Sequence, residues 1–236
     1  MTRLLSACFV FFCVAPAARA ELVTYALDPV HTRVLVGISH AGFSSALGTA
    51  SGSVGVLRFD PDDWSTSTLD VRVPLARLDF GDAAWNRAVQ AGNLLDVADH
   101  PEAHFVSTTI TALDPQRATV CGTLTLHGVT QPQCLAVTFN VRKRHPLPPF
   151  RQTVGFSATA TLSRAAFGID AWRSVIGDAV ELRIEAEAIR DDDAMAPAAA
   201  TPAPKAEGTS GVAPQAEAET EAARESEPAT EPEPTP

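Results

Sequence analysis

Apolar and polar residues alternate with a period of two along most of the middle of the chain. In one stretch Leu69, Val71 and Val73 alternate with Asp70 and Arg72. A β-strand turns successive side chains to opposite faces, so this alternation predicts a strand with one apolar and one wet face. The same pattern, or a short apolar run of strand length, predicts eight or nine strands in all. They cover residues 23–27, 34–38, 54–59, 69–75, 105–110, 120–126, 135–141, 154–162 and 180–188.

These segments predict an all-β fold with one interior. An apolar face opposite a wet face is typical of antiparallel strands packed around a single core. About eight such strands close into an antiparallel barrel, and closure removes the exposed edges of the sheet. The sequence therefore favours a β-barrel over an open sheet.

One short helix is predicted in the long connection that follows the fourth strand. Asp82 is a good N-cap residue, and Trp85, Ala88 and Val89 form an apolar stripe at helical spacing. Gly92 follows as a residue that can end the helix. The connection is too long for a hairpin, so we expect it to cover one mouth or one side of the barrel.

The N-terminus reads as a leader for export. Arg3 gives a basic start, and residues 4–14 form an apolar run that is too short to span a bilayer. Residues 18–20 fit the small-x-small rule for cleavage before Glu21. We therefore expect residues 1–20 to be a signal peptide, and the mature protein to be a periplasmic protein without a transmembrane segment.

The C-terminus has a different composition. Residues 191–236 hold eight of the 18 prolines, no aromatic residue, and eleven acidic side chains against two basic ones. Such a segment cannot bury enough apolar surface to offset the entropy of ordering, so we expect a disordered acidic tail. It would act as a solubilising spacer or as a tether to an envelope protein partner.

The remaining residues, 21–190, suit one domain with a sizeable core. The chain carries a formal net charge of −10; the tail holds −9 of it and the leader +2, which leaves −3 for the domain. That charge provides no basic surface for nucleic acid. The sequence also lacks Gly-x-Ser-x-Gly, His-Glu-x-x-His and paired cysteines at zinc spacing, so it does not predict an enzyme.

Residues 93–105, "NLLDVADHPEAHF", raise the question of a metal site. His100 and His104 are four residues apart, but Pro101 breaks the helix that would bring them onto one face. The proline also biases His100 to extended backbone. The stretch is better interpreted as a turn that leads into a strand, and no metal site is predicted.

Two cysteines, Cys121 and Cys134, remain outside the leader. Both fall on the wet faces of consecutive predicted strands that are joined by a turn at residues 127–130. Export allows oxidation, so a disulfide is predicted. Its formation depends on the register of the hairpin, because a slip of two residues would separate the cysteines too far.

Four segments together resemble the YceI-like family of exported lipid- and polyisoprenoid-binding proteins. They are "YALDPVHTRVLVGISHAG" at residues 25–42, "LLDVADHPEAHFVST" at 94–108, "GTLTLHGVTQP" at 122–132, and "FSATATLSRAAFGI" at 156–169. The likeness extends over nearly the whole domain with the motifs in the family's order. Leu94 and Leu95 replace the family's paired phenylalanines, and residues 89–91 depart from its His-Leu-Arg-like segment.

The resemblance implies a lipocalin-like antiparallel barrel with an elongated apolar cavity. Family members hold a long isoprenoid, quinone-like or fatty chain, so it implies a carrier that binds a lipid and needs no other cofactor. The alternative hypothesis is an envelope protein-interaction module with a packed barrel and a tethering tail.

The inward faces of the predicted strands supply the candidate lumen. A barrel of about eight strands can be filled by its own side chains. Small residues argue for open space, unless tryptophans fill it; they are Gly122, Ala158, Ala160, Ala186 and Ala188. The candidate tryptophans are Trp64, Trp85 and Trp172. The predicted ligand-binding residues are Val34, Val36, Ile38, Val71, Phe105, Leu124, Leu126, Val137, Phe139, Phe156, Ala158, Ala160 and Leu182.

Four polar residues coincide with motif positions of the family: His31, His40, His127 and Arg164. Each is a candidate contact for the polar head group of a ligand. The competing interpretation is structural. It has His31 and His127 bonded to turn backbone, and Arg164 paired with a carboxylate or with backbone carbonyls near the turn at residues 167–168.

Overall fold

The computed structural model describes residues 22–191. The predicted leader, and the predicted tail from residue 192 onward, lie outside the described residues. Eleven strands and one α-helix form the described part of the chain. The strands are β1 (Val23–Leu27), β2 (Arg33–His40), β3 (Ser44–Ser51), β4 (Val54–Phe59), β5 (Thr68–Pro74), β6 (Leu78–Asp79), β7 (Glu102–Asp114), β8 (Arg117–Leu126), β9 (Val129–Arg144), β10 (Gln152–Ser163) and β11 (Ile176–Arg190), and the helix is α1 (Ala83–Gln90).

Eight of the strands close into an antiparallel barrel. Their order is β1-β4-β5-β7-β8-β9-β10-β11, and β11 pairs again with β1. This confirms the predicted fold class, a lipocalin-like antiparallel barrel with a single short helix. In the described part of the chain, no helix has the length and apolarity needed to cross a bilayer.

The long last strand, β11, pairs with two different strands over different parts of its length. Near its C-terminal end β11 pairs with β1, where Ala188 lies opposite Leu27. Over its N-terminal half it pairs with β2, where Leu182 lies opposite Val36. β2 then carries β3 and β6 as an extension of the same sheet. One edge of β11 is therefore shared by β2 along its N-terminal part and by β1 near its C-terminal end.

Two of these strands, β3 and β6, were not predicted. The inward positions of β3 hold Ala46, Gly48 and Ala50, whereas its large apolar residue, Leu47, is exposed. A Cβ on Gly48 would lie 2.9 Å from the ring of Phe80, so the ring occupies the space that a larger side chain would need. The strand lacks the usual alternation because a residue from another segment fills its inner face.

The β8–β9 hairpin places the two cysteines in register. Cys121 lies directly opposite Cys134, and a disulfide joins them across a Cα–Cα distance of 4.0 Å. Their neighbours Val120 and Leu135 face the interior. The disulfide therefore lies on the outer wall of the barrel.

Helix α1 begins at the predicted cap. The carboxylate of Asp82 accepts hydrogen bonds from the backbone N–H groups of Ala84 and Trp85, at 2.8 and 3.0 Å. The helix ends at Gln90, and its C-cap, Ala91, is extended. Gly92 does not adopt the left-handed conformation of a glycine C-cap, so its predicted role was wrong. The helix buries no residue fully, which suits an element that lies over an opening.

Candidate functional site

The barrel encloses a cavity of about 450 Å³ with almost wholly apolar walls. This volume lies within the usual range for small-molecule sites, roughly 300 to 1,000 Å³. The cavity runs between two clusters of buried side chains, one around Phe59 and one around Phe167. Eleven of the thirteen predicted lumen residues line it: Val34, Val36, Ile38, Val71, Phe105, Leu124, Leu126, Val137, Phe156, Ala158 and Leu182.

Two predicted lumen residues do not line the cavity. Phe139 packs in the cluster at one end of the barrel, with its ring 5.3 Å from that of Phe59 and 5.4 Å from that of Phe156. Ala160 packs against the same cluster. Both therefore fill the interior instead of bounding the open space.

Gly122 does not leave open volume either, contrary to the prediction. A Cβ at this position would collide with the backbone carbonyl of Val106 and would lie 2.8 Å from the ring of Phe105. Its small size allows β7 to approach closely where the β7–β8 register shifts between Ser107 and Thr109. By contrast, Ala158, Ala186 and Ala188 do line the cavity.

One end of the cavity is closed by aromatic rings. Phe59, which is 2% exposed, meets Trp64, Phe139 and Phe156 with ring centroids 5.3 Å away in each case. Trp64 is therefore the tryptophan that fills space, as one of the predicted options allowed. We call this group of four rings the aromatic plug.

The other end has a mouth bordered by exposed side chains. Trp85 on α1 is 41% exposed and Trp172 is 59% exposed, yet both line the cavity. Val175 and the ring of His40 complete this border. We call these four residues the lip. The expectation that the connection after β5 covers one mouth or side of the barrel agrees with the position of α1.

Three of the four head-group candidates have structural partners, and His31 and Arg164 are described first. The Nδ1 of His31 lies 2.8 Å from a carboxylate oxygen of Asp28 in an exposed turn outside the cavity. This hydrogen bond raises the pKa of His31 above its ordinary value. Arg164 is 5% exposed and borders the cavity, but its guanidinium donates to the backbone carbonyls of Gly177, Ile169 and Ile176.

The other two candidates lie in different places. His40 is part of the lip, with its ring 5.4 Å from that of Trp85. His127 lies outside the cavity, in the turn between β8 and β9, and its Nδ1 is 3.2 Å from the carbonyl oxygen of Phe167. Of the four, His40 alone combines a position at the cavity with a ring that makes no hydrogen bond to another residue of the described range 22–191.

The structure separates the two histidines of residues 93–105. His104 lies on β7, and its Nε2 is 2.8 Å from a carboxylate oxygen of Asp70 on the neighbouring strand. His100 precedes β7 in a turn, as interpreted, but its ring lies 5.1 Å from that of His127. The contact could not be predicted from the spacing of His100 and His104. His127 is 27 residues away in the sequence, and no local pattern relates it to His100.

The β3 and α1 contributions to the cavity were also missed. Ala46 and Ala50 of β3 line it, together with Ala88 and Val89 of α1. The helical stripe was visible in the sequence, and its apolar face could have been assigned to the cavity. The alanines of β3 carried no such signal.

A sequence model of the YceI-like domain matches residues 25–188. Among curated proteins, a UPF0312 protein of Pseudomonas savastanoi pv. phaseolicola is 36% identical over 155 residues, which are 65% of this chain and 80% of that protein. A UPF0312 protein of Ectopseudomonas mendocina is 31% identical over 174 residues, 73% of this chain and 90% of that protein.

Solved structures share the fold. BcnA of Burkholderia cenocepacia superposes with a TM-score of 0.62 at 21% identity and covers 68% of this chain and 98% of its own. A polyisoprenoid binding domain from Saccharophagus degradans, implicated in plant cell wall breakdown, superposes with a TM-score of 0.52 at 14% identity. That match covers 72% of this chain and all of the neighbour.

Proposed function

Because the chain belongs to the YceI-like family, we propose that it binds and carries a polyisoprenoid, an isoprenoid quinone or a similar long-chain amphiphile inside the barrel. The observation that carries this proposal is the apolar cavity of about 450 Å³ between the aromatic plug and the lip. The structural neighbour from Saccharophagus degradans is a polyisoprenoid binding domain, which supports the same ligand class.

An apolar chain suits the chemistry of the walls. It offers no hydrogen bonds, so its binding depends on apolar contact area, at roughly 0.8 kcal/mol for each buried methylene. The inward residues of the barrel provide that area, and the guanidinium of Arg164 is already occupied by carbonyls. The ligand chain would then point toward the aromatic plug.

The polar head group would remain at the lip. His40 has a ring nitrogen pair beside Trp85 that is available to a carbonyl or hydroxyl. Aromatic rings with one wet side suit a boundary between an apolar chain and water. Of the four head-group candidates, we therefore assign His40 to the head group, and assign the other three to structural contacts.

This function needs no reaction and no resident cofactor. The leader expected at residues 1–20 would deliver the carrier to the periplasm, and the acidic tail would act there as a spacer. The alternative hypothesis, an interaction module, assumed a barrel filled by its own side chains. The open cavity argues against that assumption.

The test is lipid recovery from the purified protein. Ala158 lines the cavity, whereas Thr159, the next residue of β10, is exposed on the outer wall. Ala158→Trp should fill the space that the ligand needs, and Thr159→Trp adds the same ring outside. Solvent extraction and mass spectrometry should recover a long-chain lipid from the wild type and from Thr159→Trp, but not from Ala158→Trp.

Thermal melting separates an open barrel from a packed one. In an open cavity the new ring finds room, and the melting temperature of Ala158→Trp stays near that of Thr159→Trp. Overpacking of a filled core typically costs about 1 to 3 kcal/mol. Strong destabilisation of Ala158→Trp, together with no lipid in the wild-type extract, would refute the carrier function.

A further inference from the structure

Three side chains with metal-binding atoms meet outside the cavity. One ligand atom from each of Asp96, His100 and His127 can be chosen so that all lie within 4.8 Å of one another. Each of the three residues is partly buried. From this cluster we propose a binding site for a divalent transition metal ion such as Zn²⁺. The inference is independent of the proposed lipid-carrier function.

The donor set fits such an ion. Two imidazoles and one carboxylate are the ligands of three-ligand zinc sites, in which water occupies a further position. The same set also suits other first-row divalent metals. Tetrahedral Zn²⁺ has bonds of about 2.0 to 2.1 Å, which sets neighbouring ligand atoms about 3.3 Å apart. The three side chains therefore need to close by no more than about 1.5 Å.

The ring of His127 is held in the state that a ligand requires. Its Nδ1 lies 3.2 Å from the carbonyl oxygen of Phe167, which can only accept, so this nitrogen carries the hydrogen and donates a hydrogen bond to the carbonyl. The lone pair of the neutral ring is then on Nε2. Ligating histidines generally make such a hydrogen bond through their other nitrogen, which fixes the tautomer and the orientation of the ring.

The other two ligands are uncommitted. Within residues 22–191, neither the carboxylate of Asp96 nor the ring of His100 makes a side-chain hydrogen bond. By contrast, His31 and His104 each pair with a carboxylate. The Asp96 carboxylate is therefore partly buried beside two imidazoles without accepting a side-chain hydrogen bond from the described residues. A bound cation would balance its negative charge and occupy its free oxygen.

The backbone brings the cluster together by unusual means. Asp96 and His127 both have positive φ, 48° and 52°. Aspartate and histidine tolerate this left-handed region better than most residues, but it remains uncommon. Gly128 makes room for the ring of His100, because a Cβ there would lie 2.8 Å from its Cε1.

The site lies between two segments that no backbone hydrogen bond holds together within residues 22–191: the connection from α1 to β7 and the β8–β9 turn. We call residues 91–101 the strap, since they lead from α1 to β7. The strap is tied to α1 by backbone bonds such as Leu95 N–H to Val89 O at 3.0 Å and Val97 N–H to Gln90 O at 3.1 Å. Among the described residues, no backbone hydrogen bond joins it to the β8–β9 turn. A metal held by Asp96, His100 and His127 would supply that link.

The test is a Co²⁺ titration of the full chain without an affinity tag, followed by visible absorption, with Zn²⁺ competition for affinity. Wild type should bind one ion with visible Co²⁺ bands, and His100→Gln and Asp96→Asn should weaken binding by at least about tenfold. His104→Gln is the matched control, because His104 lies on β7, pairs with Asp70 on β5 and is not part of the cluster. It should bind as the wild type does.

Thermal melting gives a second readout. Zn²⁺ at about 100 times its dissociation constant should raise the melting temperature of the wild type and of His104→Gln by about 5 to 10 °C. At the same Zn²⁺ concentration, His100→Gln should show a rise no more than about half as large, because its binding is at least about tenfold weaker. Its melting curve without metal should stay cooperative. The proposal is overturned if the wild type binds no ion, or if His100→Gln and Asp96→Asn bind as tightly as His104→Gln.

Discussion

The two ends of the cavity are built from aromatic side chains, but they use them in opposite ways. At the plug, Phe59 is 2% exposed and touches three other rings. At the lip, Trp85 and Trp172 keep 41% and 59% of their surface in water. Buried rings at the plug stabilise the barrel, whereas half-exposed rings at the lip leave a way into it. Stability and access are thus assigned to different ends.

The largest effect should come from the plug. Phe59→Ala removes a ring that packs against three others, and such truncations cost about 3 to 5 kcal/mol. For a domain of this size the melting temperature should fall by about 6 to 20 °C. Trp85→Ala, the matched change at the lip, should cost about 1 kcal/mol or less and should instead reduce lipid recovery. Equal destabilisation by the two variants would show that the ends do not differ.

The disulfide should separate stability from binding altogether. Cys121 and Cys134 lie on the outer wall, and the bond closes a sequence separation of 13 residues. By the chain-entropy account, a loop of this size contributes about 3 kcal/mol. Cys121→Ser with Cys134→Ser should lower the melting temperature and leave the recovered lipid unchanged. Reduced wild type is the control and should have the same melting temperature as the double variant. If both have the melting temperature of the oxidised protein, the disulfide does not stabilise the fold.

A smaller effect is expected at the cap of α1. Asp82→Ala removes the acceptor for two backbone N–H groups and should cost about 1 kcal/mol locally. Because α1 buries no residue fully, we expect faster amide exchange in the helix and faster lipid release, with a nearly unchanged melting temperature. Asp82→Asn keeps a good cap and is the control. A large drop in melting temperature for Asp82→Ala alone would mean that α1 is part of the core.

The smallest effect should be a pH dependence from the exposed turn between β1 and β2. The hydrogen bond from His31 to Asp28 raises the pKa of His31 in the folded state. The pair therefore stabilises the fold below the unfolded pKa of about 6.5, and the effect is lost as the pH rises through the folded pKa. The melting difference between wild type and His31→Gln should shrink from about pH 5.5 to about pH 8.5. A constant difference would contradict this.

The walls of the barrel could be predicted because they follow a local rule. Strand alternation assigns an inward face without knowledge of the partner strand, and residues such as Val36 and Leu182 were found in this way. The prediction for Phe139 in the plug was right about direction but wrong about role. Its ring faces the interior, but it packs on Phe59 and does not line the cavity. Alternation gives the direction of a side chain but not whether another ring has already filled the space.

Features that depend on distant contacts could not be predicted. β3 was missed because the ring of Phe80 takes the space beside Gly48. Gly122 was thought to leave volume, but the close approach of β7 uses its lack of a side chain. The meeting of His100 with His127 depends on the path of the strap, which places the ring of His100 beside the β8–β9 turn. The role of each of these residues is set by tertiary contacts, so the residue type alone does not predict it.

A crystal structure of the protein purified directly from the cell envelope would show whether the barrel carries a lipid. We expect one elongated ligand in the cavity, with its chain toward Phe59 and Phe156 and its polar end beside His40 and Trp85. Electron density for water alone in the cavity, or a lipid bound on the outer wall, would contradict this expectation.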